Sequence, residues 1–135
     1  MSGRLAALVI AALVGLVLLG LFQLYRRRAA KALDRLDIEE LGLELMAGCC
    51  AFVVFTTPAC RPCKAALRVV ETAAEKRPGL TEVTTVDAMD RSDLALRYDV
   101  RAIPTVFLIT ASGHVIERWR KVPHPAEVDT ALAAM

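Results

Sequence analysis

Two things are scarce in this chain of 135 residues: cysteine, present four times, and net charge, which is +2. Four cysteines do not make the disulfide framework of a small secreted scaffold. So low a net charge, beside an apolar share of 56%, excludes an intrinsically disordered chain. No internal repeat and no low-complexity stretch appears, and the length argues for one domain rather than two. The apolar share itself lies above the usual range for a soluble domain. The surplus is local, because 19 of the first 25 residues are apolar.

Residues 5–24 read LAALVIAALVGLVLLGLFQL, with Gln23 the one polar side chain and no charge. Twenty helical residues span a hydrocarbon core of roughly 30 Å. A secretory signal peptide is the competing reading, but its apolar region runs to about 7–15 residues and a small-residue cleavage site follows it. Here Arg26, Arg27 and Arg28 follow instead, and the nearest A-x-A pattern, Ala30-Lys31-Ala32, lies beyond them. A buried core helix would need a polar face that this run lacks. A retained membrane anchor through residues 5–24 is the expectation.

Arg4 stands on one side of the run; Arg26, Arg27, Arg28, Lys31 and Arg35 stand on the other, with Asp34 among them. The positive-inside rule then places the C-terminal side in the cytoplasm, and the same cations attract anionic headgroups. From residue 36 onward there are 11 basic and 14 acidic residues, so the basic balance is juxtamembrane. No nucleic-acid partner is expected of the remainder.

Residues 29–47 read as a connector, helical in part, with Leu33, Leu36 and Leu41 as apolar-face positions. Residues 50–55, CAFVVF, form a continuous apolar run of the kind buried on both faces of a sheet. A helical pattern follows Pro62 and stops at Pro78-Gly79. Further strands are expected at 83–87, 105–109 and 114–121, a short helix at 91–98, and a last helix after Pro125 ending near Ala134. The order β-α-β-α-β-β-α gives an α/β fold, a mixed sheet flanked by helices.

Cys60-Arg61-Pro62-Cys63-Lys64 sits where the first strand gives way to the first of these helices. A thiol there faces outward-pointing backbone N–H groups and the positive end of the helix dipole, which lowers its pKa. Arg61 and Lys64 add positive charge, and Pro62 suits the first helical turn, where a missing N–H costs nothing. Cys60 is therefore the expected nucleophile. Cys63, one turn on, is placed to attack the mixed disulfide and release the partner. Four thiolates spaced C-C-x9-C-x2-C raise the alternative of zinc, but adjacent cysteines are awkward ligands for one tetrahedral site, and no metal is expected. Cys49 and Cys50 read as small buried residues at the far end of the strand. His114 and His124 read as solvated loop residues, Trp119 as a cover for an edge or the last helix, and Asp87, Asp90, Asp93 and Asp99 as caps of helix ends.

The run from Phe55 through Cys60 and Cys63 to Lys64, then Val86-Asp87, then Tyr98-Asp99-Val100-Arg101-Ala102-Ile103-Pro104-Thr105, resembles the thioredoxin family. The resemblance covers roughly residues 40–135. It implies a thioredoxin fold with a sheet of four or more strands, which here follows the one transmembrane helix read from residues 5–24. The division is then an anchor at 1–25, a basic connector at 26–39 and the thioredoxin-like domain at 40–135. It also implies thiol–disulfide exchange on disulfide-containing protein substrates, an upstream electron donor and no bound cofactor. Ile103, Pro104 and Thr105 are implied to line the substrate groove, with a cis bond before Pro104. The family's usual tryptophan before the first cysteine is Ala59 here, its buried acid falls at Val54, and its glycine between the cysteines is Arg61. The glycine expected after the final strand is missing as well, Lys121-Val122-Pro123 standing there. The expected function is that of a membrane-anchored thiol–disulfide oxidoreductase at the cytoplasmic face of the cell membrane. The alternatives are an outward-facing protein for cytochrome maturation or disulfide repair, and a non-catalytic binding or metal module.

Overall fold

The computed structural model describes residues 2–135, apart from the side chains of residues 28–33. It divides into two compact units, residues 1–32 and 33–135. The first is a single helix, α1, Ser2–Leu33. Residues Ser2–Arg27 make it long and apolar enough to cross a membrane. Its large apolar side chains from Leu5 to Tyr25 are each more than half exposed. The helix does not break at the arginines, and Arg26 lies over the Phe22 ring one turn back.

The second unit runs β1 (Cys50–Thr56), α2 (Arg61–Glu75), β2 (Thr81–Asp87), α3 (Ser92–Arg97), β3 (Thr105–Thr110), β4 (Val115–Trp119) and α4 (Pro125–Ala133). The sheet order is β2-β1-β3-β4. β1 pairs parallel with β2 and antiparallel with β3, and β3 pairs antiparallel with β4. The mixed sheet flanked by helices is the fold that the residue pattern led us to expect.

Alternation along the strands sorts the core into two layers, because successive side chains leave a strand on opposite faces. Phe52, Val54, Val106 and Leu108 face Ala66, Val70 and Ala73 of α2 and Val128 and Leu132 of α4. Trp119 joins this layer, so it covers α4 rather than a sheet edge. Ala51, Val53, Phe55, Phe107 and Ile109 face the other way, toward Leu94 of α3, Tyr98, Leu36 and Leu43. The Phe55 and Phe107 rings meet edge to face at 5.6 Å. Both faces are dry, which explains why β1 is apolar without interruption.

The connector is helical in part, as expected: α1 continues through Leu33, and residues 34–49 form turns and extended chain. Leu36 and Leu43 still reach the core, and Leu41 packs at its border, while the Leu33 side chain lies outside the described residues. The reason is topological. The β3–β4 turn captures this segment, with Leu36 N–H donating to Gly113 O and Val115 N–H to Asp34 O, each at 2.8 Å. The expected last strand needs correction: it is shorter than 114–121, running Val115–Trp119, with His114 before it in the turn, bonded to Thr110 and bridged to Arg35.

His124, though exposed, is more than a loop residue. It is the N-cap of α4: its Nδ1 accepts Ala126 N–H at 3.2 Å, and Glu127 reaches back to the His124 N–H, a reciprocal capping box. Asp87, expected to cap a helix end, instead braces the turn after β2, taking the N–H groups of Met89 and Asp90 at 2.8 and 3.4 Å, while α3 begins at Ser92 with no side-chain cap.

Candidate active site

β1 delivers the chain to one end of the sheet, where Thr57 O accepts Cys60 N–H at 3.2 Å and closes a turn. Cys60 is the N-cap of α2, with extended backbone, and Pro62 stands in the first helical turn. The Cys63 N–H donates to Cys60 Sγ at 3.2 Å. A sulfur in this position takes the hydrogen bond that a serine or aspartate N-cap would take. An orphan helix N–H and the dipole together stabilise negative charge there.

Cys60 and Cys63 are joined in a disulfide, S–S 2.08 Å and Cα–Cα 5.3 Å. The two sulfurs differ in access. Cys60 is half-buried, whereas Cys63 is 3% exposed. Arg61, Pro62 and Lys64 are all exposed around them, and among the described residues neither Arg61 nor Lys64 is in an ion pair.

The Ile103–Pro104 bond is cis. Phe55 pairs with Thr105 across β1 and β3, so the start of β3 lies at the same end of the sheet as the loop into Cys60. Pro104 and Thr105 are buried and Ile103 is half-buried. Thr105 Oγ1 donates to Ala102 O at 2.6 Å, which braces the loop just before the cis bond. The structure thus brings Cys60, Cys63, Ile103, Pro104 and Thr105 to one end of the sheet. Val54, at the position of the family's buried acid, is fully buried among apolar side chains.

A matching sequence profile decides the family: the Thioredoxin model covers residues 45–128. The chain belongs to the thioredoxin family. A thioredoxin of Methanocaldococcus jannaschii is 38% identical over 55 residues, 41% of this chain and 65% of that protein. Bovine mitochondrial thioredoxin is 37% identical over 73 residues, 54% of this chain and 43% of that protein. The chain therefore spans less than two thirds of the length of these relatives. Among solved structures, a point mutant of Halobacterium salinarum thioredoxin superposes with a TM-score of 0.60 at 23% identity, covering 74% of this chain and 85% of that one. Fasciola hepatica thioredoxin gives 0.56 at 24% identity, covering 73% and 88%. These two carry the fold. In this chain the cysteine pair stands at the strand-to-helix junction.

Cys49 and Cys50 lie at the opposite end of this thioredoxin fold, both buried. Their thiols point to the carbonyls of Gly79 and Leu80, at 3.7 and 3.6 Å. They are structural neighbours of the sheet's far edge and not part of the site.

A charged cluster beside the site has no counterpart in the sequence reading. Asp99, in left-handed backbone with φ 52°, accepts a hydrogen bond from Arg101 Nε and lies 3.5 Å from Arg120. The Arg101 guanidinium holds the Asp99 carboxyl below the usual carboxylate range, with help from Arg120 and Arg118. Asp99 is therefore charged at neutral pH. Arg118 lies 4.5 Å over the Phe107 ring. Burial there, and the charge of Arg120, lower its pKa from the ordinary arginine value.

Proposed function

We propose that this chain is a membrane-anchored thiol–disulfide oxidoreductase of the protein-disulfide reductase type. The observation that carries the reading is the asymmetry of the cysteine pair: a reachable sulfur at a helix N-cap, and a buried partner one turn along. Reduced Cys60, as thiolate, attacks one sulfur of a substrate disulfide. The S–S bond of the substrate breaks, and its departing thiolate takes up a proton. Cys63 then gives up its proton and attacks the Cys60 sulfur of the mixed disulfide, closing the Cys60–Cys63 bond and releasing the second substrate thiol. Two electrons and two protons pass to the substrate, so an upstream electron donor must restore the dithiol. The exchange needs only the two thiols and no bound cofactor.

Ile103, Pro104 and Thr105 form the groove wall along which the substrate peptide lies. Arg61, Pro62 and Lys64 shape and charge the approach to Cys60. With Ala59 in place of a tryptophan, that approach has one small wall.

The full chain in detergent should accelerate the reduction and precipitation of insulin by dithiothreitol. No acceleration above the reagent alone would overturn the enzyme reading. Residues 1–25, the apolar part of α1, are the anchor, residues 26–39 the juxtamembrane connector, and the five cations that follow the apolar run hold the catalytic domain in the cytoplasm. An impermeant maleimide should therefore leave the reduced site cysteines of intact cells unlabelled and label them after lysis. Labelling without lysis would turn the protein outward and make extracytoplasmic disulfides its substrates.

A further inference from the structure

The end of the sheet that carries Cys60 is electrically lopsided. Where α2, the Ile103–Pro104 loop and β4 meet this end, cations predominate. Arg61 and Lys64 stand exposed on the first turn of α2. Arg101 precedes Ile103 by two residues and is 79% exposed at its side chain; Arg120 follows the end of β4 and is 55% exposed. Lys121 is exposed beside it. The register fixes the common location, since Val106 pairs with Trp119 in β4 and Thr105 with Phe55 in β1. Among the described residues, Asp99 is the carboxylate that pairs with Arg101 and Arg120 of this group. At the end of β2 the sign reverses: Asp87 and Asp90 occupy the turn, and Arg91 is tied to Asp93.

Asp99 does not cancel the cluster. A guanidinium carries five N–H donors in a planar fork, and one carboxylate shared between Arg101 and Arg120 leaves most of them unused. Arg101 also lies on the strand of chain that leads into the groove wall, so an anion held there belongs to the peptide being reduced.

On the oxidoreductase reading, on which this rests, we infer that the disulfide substrate carries acidic residues next to its reactive cysteine, recognised by Arg101 and Arg120 together with Arg61 and Lys64. The same charges set the direction in which the substrate lies, acidic flank toward β4 and away from Asp87 and Asp90. Charge complementarity of this kind acts chiefly on the encounter rate and fades with salt.

The test uses the pre-reduced full chain in an uncharged detergent, in single turnover. Its three substrates are a disulfide peptide with glutamates beside the cysteine, the same peptide with lysines, and the neutral 2-hydroxyethyl disulfide. At low salt the acidic peptide should react about tenfold faster than the basic one, the gap closing toward twofold in 0.5 M salt. Joint replacement by Arg101→Gln and Arg120→Gln should reduce the preference to under about threefold. Asp99→Asn, which removes the competing carboxylate, should enlarge it, an effect that a merely structural role for these residues does not produce. Equal rates on the two peptides, or a faster basic peptide, while the neutral disulfide still reacts, would overturn the inference and leave the oxidoreductase reading standing. No reaction with any of the three would overturn both.

Discussion

Cys63→Ser should turn the protein from a catalyst into a trap. Cys60 would still attack a disulfide, but the buried position one turn along would hold a hydroxyl that cannot displace it. The mixed disulfide then accumulates, visible on a non-reducing gel as a shifted band that dithiothreitol removes. Insulin reduction should fall to the rate of dithiothreitol alone. Cys60→Ser should fall as far but trap nothing, because Cys63, at 3% exposure, cannot be reached by a protein disulfide. The pair of variants separates attack from resolution. Adducts on Cys63 in the Cys60→Ser protein would reverse the assignment of roles.

The second large effect is on stability. Gly113 has φ +83°, and a Cβ built there would sit 2.1 Å from Leu36 O. Two costs combine in Gly113→Ala. An alanine at this φ loses roughly 1–2 kcal/mol to backbone strain. The clash is with backbone, so the 34–36 segment has to move, and its two bonds to the β3–β4 turn are each worth about 1 kcal/mol. The sum is a destabilisation of about 3–4 kcal/mol, at the upper end of what single substitutions do. For a domain of this size that lowers Tm by more than about 10 °C, measurable by thermal unfolding in detergent. Gly42→Ala is the internal control: φ is +67° there with nothing within 4 Å, so only the strain remains, about 1–2 kcal/mol. Similar losses at the two positions would mean that the strap between residues 34–36 and the turn contributes little.

The features that could be read in the residue order share one physical property: each is local. The uninterrupted run in β1 signals burial on two faces, and a Cys-x-x-Cys at a strand-to-helix tip places two sulfurs on one helical turn. Both survive any choice of neighbours. What could not be read depends on distant chain. Arg101 is a near neighbour of Asp99 in the chain, but Arg120 joins the pair only because the β3–β4 hairpin folds back, and nothing in a window of seven residues around Arg120 announces it. The segment after α1 has helix-forming residues, yet residues 36–45 run as extended chain interrupted by a turn at 38–42, with Leu36 and Leu43 covering the face made by Val53, Phe55 and Phe107. Propensity lost there to tertiary demand. The His124 capping box was present in the letters His-x-x-Glu, but histidine is not among the residues that usually mark a helix start.

The strap has a mechanical side. The chain enters its redox domain by way of Asp34, Arg35 and Leu36, zipped to the turn between β3 and β4. That turn lies at the end of the sheet reached by Cys50 and Thr110, a strand's length, roughly 20 Å, from the end reached by Phe55 and Thr105. A pull along this segment would therefore meet the domain at its back, first at the hydrogen bonds of the strap, a strand's length from the end that carries Cys60 and Cys63.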